Sequence, residues 1–120
     1  MIWVFDIDGT IDSNPDWYRQ LTYWLKKSPS SNQIVIITCR NPKRRIETIM
    51  HLQSWGILYD TLITMEEEDP RDHKSLLMWK LGQVKKIKPD VWFDDEIKLY
   101  DQLYAIELIN ELPRTEMVIV

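Results

Sequence analysis

The sequence predicts an α/β fold of three layers, in which a central parallel sheet of five strands is doubly wound by helices on both faces. Three observations carry this. Short apolar runs alternate along the chain with segments of helical periodicity. The runs are apolar at successive positions rather than at every second one, as in strands buried on both faces. Each run between helices stops at a polar residue, and parallel strands joined by right-handed crossovers admit few topologies.

Taken in order, Ile2-Trp3-Val4-Phe5 reads as the first strand, ending at Asp6. Asn14 before Pro15 is an N-cap with proline at the first helical position. Trp17, Leu21, Trp24 and Leu25 then repeat at helical spacing until Ser28-Pro29-Ser30-Ser31-Asn32 breaks the pattern. Ile34-Val35-Ile36-Ile37 is the second strand and ends at Thr38. A second helix follows Pro42, with Ile46, Ile49 and Met50 on one face, and stops near Gly56. Thr61-Leu62-Ile63-Thr64 is the third strand, and the acidic loop from Glu66 to Asp69 leads into a third helix with Leu77, Leu81 and Val84 on its apolar face. Val91-Trp92-Phe93 is the fourth strand, cut off by Asp94 and Asp95. A fourth helix carries Leu99, Leu103 and Ile106; the stretch from Glu107 to Leu112 reads equally as helix end or loop, and Met117-Val118-Ile119-Val120 closes as the fifth strand.

With 120 residues the chain is expected to form a single domain over 1–120 with a core large enough to need no staples. Its 44% hydrophobic and 28% charged composition is that of an ordinary globular protein. Cys39 is the one cysteine, which excludes an intramolecular disulfide and suits a reducing compartment. The apolar residues before Asp6 have no basic flank, so neither a signal peptide nor a membrane span is expected, and a cytoplasmic location is. A net charge of −4 argues against broad nonspecific nucleic-acid binding but leaves room for a local basic patch at Arg40, Lys43, Arg44 and Arg45.

Open parallel sheets bind ligands beyond the carboxyl ends of their strands. There the sequence places Asp6 and Asp8 after the first strand, Thr38 and Arg40 after the second, and Asp94 and Asp95 after the fourth, with Lys74 at the start of the third helix. Any one of these acids read alone is a helix cap. Paired acids are a poorer fit to capping, because a cap uses one carboxylate and the second repels it. Gly9 permits a sharp turn that lets Asp6 and Asp8 face one point. Four converging carboxylates demand a counter-charge, and an oxygen-only ligand set points to Mg²⁺ rather than zinc.

The chain resembles the haloacid dehalogenase superfamily of phosphohydrolases over nearly its whole length, and the resemblance implies that family's Rossmann-like sheet. Asp6-Ile7-Asp8-Gly9-Thr10 after an apolar strand matches the first family motif, Ile36-Ile37-Thr38 the second, Lys74 the third, and Phe93-Asp94-Asp95 the fourth. The resemblance implies that Asp6 is the nucleophile and that Asp8 protonates the leaving oxygen and then deprotonates water. It implies further that Mg²⁺ is held by Asp6, the Asp8 carbonyl, Asp94 and Asp95. Thr38 and Lys74 then stabilise the phosphoryl group, while Gly9, Thr10, Arg40 and Arg44 belong to substrate binding.

Neither gap between motifs has room for a cap domain, so an open, capless site is expected. Thr38-Cys39-Arg40, the run from Trp55 to Lys74 and Phe93-Asp94-Asp95-Glu96 are most similar to the 3′-phosphatase domain of polynucleotide kinase-phosphatases, with Cys39 in place of that group's glycine. The expected substrate is thus a phosphorylated one, a nucleic-acid 3′ end or a nucleotide. A small-metabolite phosphatase is the alternative, and a non-catalytic phosphate-binding domain a more remote one. A signalling receiver domain needs its phosphorylated aspartate after the third strand, where this chain has Thr64 and Met65. Cys39 reads as a buried filler, His73 as an exposed helix-start residue, and Trp17 and Tyr18 as aromatics that border an open site.

Overall fold

The computed structural model describes residues 1–29, 31–67 and 71–120. Ser30, in the break after the first helix, and residues 68–69 of the acidic loop lie outside them. Among the described residues the strands are β1 (Ile2–Phe5), β2 (Gln33–Thr38), β3 (Thr61–Thr64), β4 (Val91–Asp94) and β5 (Glu116–Ile119). They form one sheet in the order β3-β2-β1-β4-β5, with every neighbouring pair parallel. The helices are α1 (Pro15–Lys27), α2 (Arg45–Ser54), α3 (His73–Ile87) and α4 (Ile97–Glu111), with short 3₁₀ turns at Ile11–Ser13 and Pro42–Arg44. The expected α/β class and five-stranded parallel sheet are thus present, in an arrangement compatible with a Rossmann-like fold. Among the described residues no helix is long and apolar enough to cross a membrane.

Strand order positions the site. From β1 the chain builds outward to β2 and β3, then returns to lay β4 on the other side of β1. The β1–β4 seam is therefore the point where the winding reverses, and the crevice beyond it is where such sheets take ligands. Phe5 is in register with Ile36 on β2 and with Phe93 on β4, so Asp6 and Asp94 emerge side by side.

Side chains alternate along each strand, and the buried apolar residues sort accordingly. Val4, Val35, Ile37 and Trp92 pack with Leu77, Leu81 and Val84 of α3 and Ile97, Tyr100 and Leu108 of α4. Phe5, Ile34, Ile36 and Phe93 pack with Tyr18 of α1 and Leu52 of α2. The Asn14 side chain accepts from the Trp17 amide at 3.4 Å, capping α1 behind Pro15 as expected. Asp72 caps α3 in the same manner, accepting from the Ser75 amide at 3.1 Å.

Two helix faces differ from the periodicity reading. In α2, Ile46 and Met50 are exposed while Thr48 and Leu52 are buried. In α4, Leu103 and Ile106 are exposed and Ile97, Tyr100 and Leu108 face the core. In α4 Ile97, Tyr100 and Leu108 recur on one helical face that continues through a kink at Tyr104, φ −135°, and Leu103 and Ile106 lie on the opposite side. The undecided stretch from Glu107 belongs to that helix as far as Glu111. Trp24 of α1, counted on the apolar stripe, is also exposed, and the small Thr22 lies buried instead.

Candidate active site

The parity that sends Val4 and Trp92 toward α3 and α4 also governs the residues two positions on. Asp6 and Asp94 both meet the α3 side, and both are buried. Between them lies the ammonium of Lys80, with Nζ 2.7 Å from Asp6 Oδ1 and 3.2 Å from Asp94 Oδ2. The other oxygen of Asp6 accepts from the Thr10 hydroxyl at 3.3 Å, and Asp94 Oδ1 accepts from the Glu96 amide at 2.9 Å. Asp95 is exposed at the rim. One carboxylate oxygen from each of Asp6, Asp94 and Asp95 lies within 4.8 Å of the others.

The electrostatics follow from counting. One ammonium balances one of the two buried carboxylates, so the other is driven to hold a proton. Burial, first, and the neighbouring Asp94, opposed by Lys80, push the Asp6 carboxyl up to about 8. Burial raises Asp94 as well, despite the opposing pull of Lys80. Burial alone would lower Lys80, but Asp6 and Asp94 outweigh it and hold the ammonium charged. With Asp95 included, three carboxylates against one ammonium leave two negative charges. A divalent cation cancels them, and the donors are all hard oxygens. The residues fit a hard divalent cation such as Mg²⁺, and Asp6, Asp94 and Asp95 are the ones that could hold it.

The structure brings together Asp6, Thr10, Asp94 and Asp95 of the expected set, but not Lys74. Lys74 is exposed on the first turn of α3, beside His73 and the α4 residues Leu103 and Tyr104. Lys80, six residues further along, reaches the acids instead. Its signal was present in the sequence: residues 77, 80, 81 and 84 share one helical face, and Lys80 is the charge among three apolar side chains. A lysine on a buried stripe has to find anions, and Asp6 and Asp94 are the ones within reach.

Asp8 points away from the buried acids. Its carboxylate, 58% exposed, accepts from Arg40 Nε at 3.1 Å and from Nη2 at 2.9 Å. Arg40 Nη1 lies 3.1 Å from His51 Nδ1, and since a guanidinium only donates, His51 is the acceptor there and carries its proton on Nε2. Thr38 is fully buried, and its hydroxyl accepts from the Arg40 amide at 3.1 Å, which fixes the turn that aims Arg40 at Asp8. Gly9 has φ +83°, and a Cβ there would meet Asp95 Oδ2 at 2.2 Å, so glycine allows the loop and Asp95 to approach. The Gly9 amide donates to Asp12 Oδ1 at 2.8 Å, a loop support the sequence reading did not single out.

A cavity of about 320 Å³ opens beside Asp8, walled by Arg40, Arg44, Glu47, His51 and Arg71 among others. Arg44 pairs with Glu47 one turn on. Arg71, absent from the expected set, donates to the Cys39 carbonyl at 2.7 Å. Cys39 is half-buried, its thiol 3.6 Å from the Leu76 carbonyl, and burial pushes it up to about 11, in keeping with a filler rather than a nucleophile. No protein-family model matches the chain, and no curated protein is found similar to it.

Proposed function

We propose that the chain is a Mg²⁺-dependent phosphomonoester hydrolase of the haloacid dehalogenase type, three-layered and doubly wound, with Asp6 as its nucleophile. One observation carries the reading: at the winding reversal of the sheet, Asp6 sits among Lys80, Asp94 and Asp95, while Asp8 stands two residues away at the mouth of an arginine-lined cavity. The two apolar clusters, one with α1 and α2 and the other with α3 and α4, support the layering. Only α1 with a 3₁₀ turn separates Asp8 from β2, which supports a capless site open to large substrates.

Bound Mg²⁺ would supply charge neutralisation between the Asp6 carboxylate and an anionic phosphate. The chain's own residues do the rest. An Asp6 oxygen attacks phosphorus, the bond from phosphorus to the leaving oxygen breaks, and Asp8 gives that oxygen its proton. Water then attacks the aspartyl-phosphate, losing its proton to Asp8, and the bond to Asp6 breaks to release phosphate. Lys80 orients Asp6 and opposes the burial that favours its proton, and Arg40 binds the phosphoryl oxygens.

Arg40 and Asp8 together set the order of events. A carboxylate bonded on both oxygens by a guanidinium is no proton donor. An arriving phosphate competes for Arg40, and its departure frees Asp8 to take a proton and act as the acid. A nucleic-acid 3′ end or a nucleotide is the substrate class proposed, and the protein is taken to work in the cytoplasm. The test is phosphate release from a 3′-phosphorylated oligonucleotide, a 5′-phosphorylated one, mononucleotides and sugar phosphates, with Mg²⁺ and with chelator. Mg²⁺-dependent release with preference for the 3′ end is expected. Release from sugar phosphates alone would move the protein to small metabolites.

A further inference from the structure

We infer that the cavity beside Asp8 is a binding site for a second phosphate, one carried by the leaving group of the substrate. The inference rests on the phosphohydrolase reading for what Asp8 does. The cavity is bounded by Asp8 and not by Asp6, Asp94 or Asp95. Asp8 is the group that touches the leaving oxygen, so whatever is attached to that oxygen extends into this space. The phosphoryl group being transferred stays at Asp6, outside it.

The walls select charge. Arg40, Arg44 and Arg71 face two carboxylates, Asp8 and Glu47, and the His51 ring stands beside them. Without substrate Arg40 pairs with Asp8, and in the phosphohydrolase reading it goes to the transferred phosphoryl group, while Arg44 pairs with Glu47. Among the described residues Arg71 bonds neutral acceptors, the Cys39 carbonyl and the Met65 sulfur, and no described carboxylate pairs with it. Arg44 is exposed, and swinging from Glu47 to a ligand requires no unfolding. Guanidinium groups converging from the loops after β2 and before α3 match the oxygens of a phosphate or phosphodiester. Among the described residues no Trp, Tyr or Phe lines the cavity, so it reads phosphate rather than base. At about 320 Å³ it lies at the small end of ligand sites, room for one such group with part of its sugar.

The preferred substrates are therefore doubly phosphorylated: a nucleoside 3′,5′-bisphosphate or a 3′-phosphorylated oligonucleotide, over a nucleoside 3′-monophosphate. The test is calorimetric binding of nucleoside 3′,5′-bisphosphate and 3′-monophosphate to the Asp6→Asn protein, which binds without turnover, alone and with Arg71→Gln or Arg44→Gln added. The bisphosphate should bind about tenfold or more tightly, the worth of one charge-assisted contact, and both added substitutions should shrink that ratio. Arg44→Gln lies on an exposed side chain and guards against loss of fold in Arg71→Gln. Equal affinities, or a ratio unchanged in both variants, would overturn the second-phosphate site. A persisting preference in a protein that hydrolyses nothing would support the site and remove the phosphohydrolase reading alone.

Discussion

Lys80 is the residue on which the buried chemistry turns. Among the described residues its ammonium is the one cation placed between Asp6 and Asp94, and all three side chains are buried. Lys80→Ala leaves two carboxylates facing each other in a dry interior and should cost about 3–5 kcal/mol in chelator, read as a shifted urea midpoint at constant slope. Added Mg²⁺ should recover part of the loss; a midpoint unchanged in chelator would show that the pair is not buried as described. Asp6 makes the second prediction. Its folded value of about 8 lies above the ordinary 3.8, so across that interval the folded protein holds a proton the unfolded chain lacks. The stability it contributes is complete below about 3.8 and lost as pH rises through about 8, so the metal-free protein should weaken over that window. Mg²⁺ should displace this proton and bind more tightly as pH rises toward 8. Calorimetry in two buffers of different ionisation enthalpy reads the proton directly; no release at pH 6 would contradict the assignment.

At the scale of elements, the site depends on how α1 and α3 are started and seated. Asn14 caps α1, and one turn later Tyr18 sets its ring edge-on to Phe5 and Phe93 at 5.8 and 6.0 Å, the two residues that immediately precede Asp6 and Asp94. Asn14→Ala should therefore cost about 1 kcal/mol and show in the thermal midpoint. Asn14→Asp should retain most of that, since it keeps an acceptor. Strands and their polar ends were legible because a buried strand announces itself by composition and stops where the polar residue begins. Asp6, Thr38 and Asp94 needed only that. Helix faces were less legible: α4 carries two apolar sets at helical spacing, and packing turns Ile97, Tyr100 and Leu108 inward rather than Leu103 and Ile106. Lys74 was chosen for standing at a helix start, whereas depth along α3 decides which lysine meets the acids, and that depth is set by packing against Val4 and Trp92.

For the molecule as a whole, a five-stranded parallel sheet that reverses its winding between β1 and β4 gathers acids from two strands at one crevice, and a lysine crosses over on α3 to meet them. Arginines from the loops after β2 and before α3 add the cationic cavity on the Asp8 side. Chain topology thus separates the cluster of Asp6, Lys80, Asp94 and Asp95 from the arginine-lined cavity, with Asp8 between. Arg71 stood in the sequence only as part of the run into Lys74, and His51 only as an isolated histidine; neither was given a role at the site, because they become neighbours of the Asp8 cavity only through the fold.

The most direct test of Asp6 as nucleophile is to mix the protein with Mg²⁺ and a 3′-phosphorylated oligonucleotide, quench in acid, and weigh the peptide that contains Asp6. The peptide should carry one phosphoryl group during turnover, and Asp6→Asn protein should show neither that mass nor phosphate release. Turnover that continues in Asp6→Asn, or that proceeds with the label on another residue, would contradict the assignment.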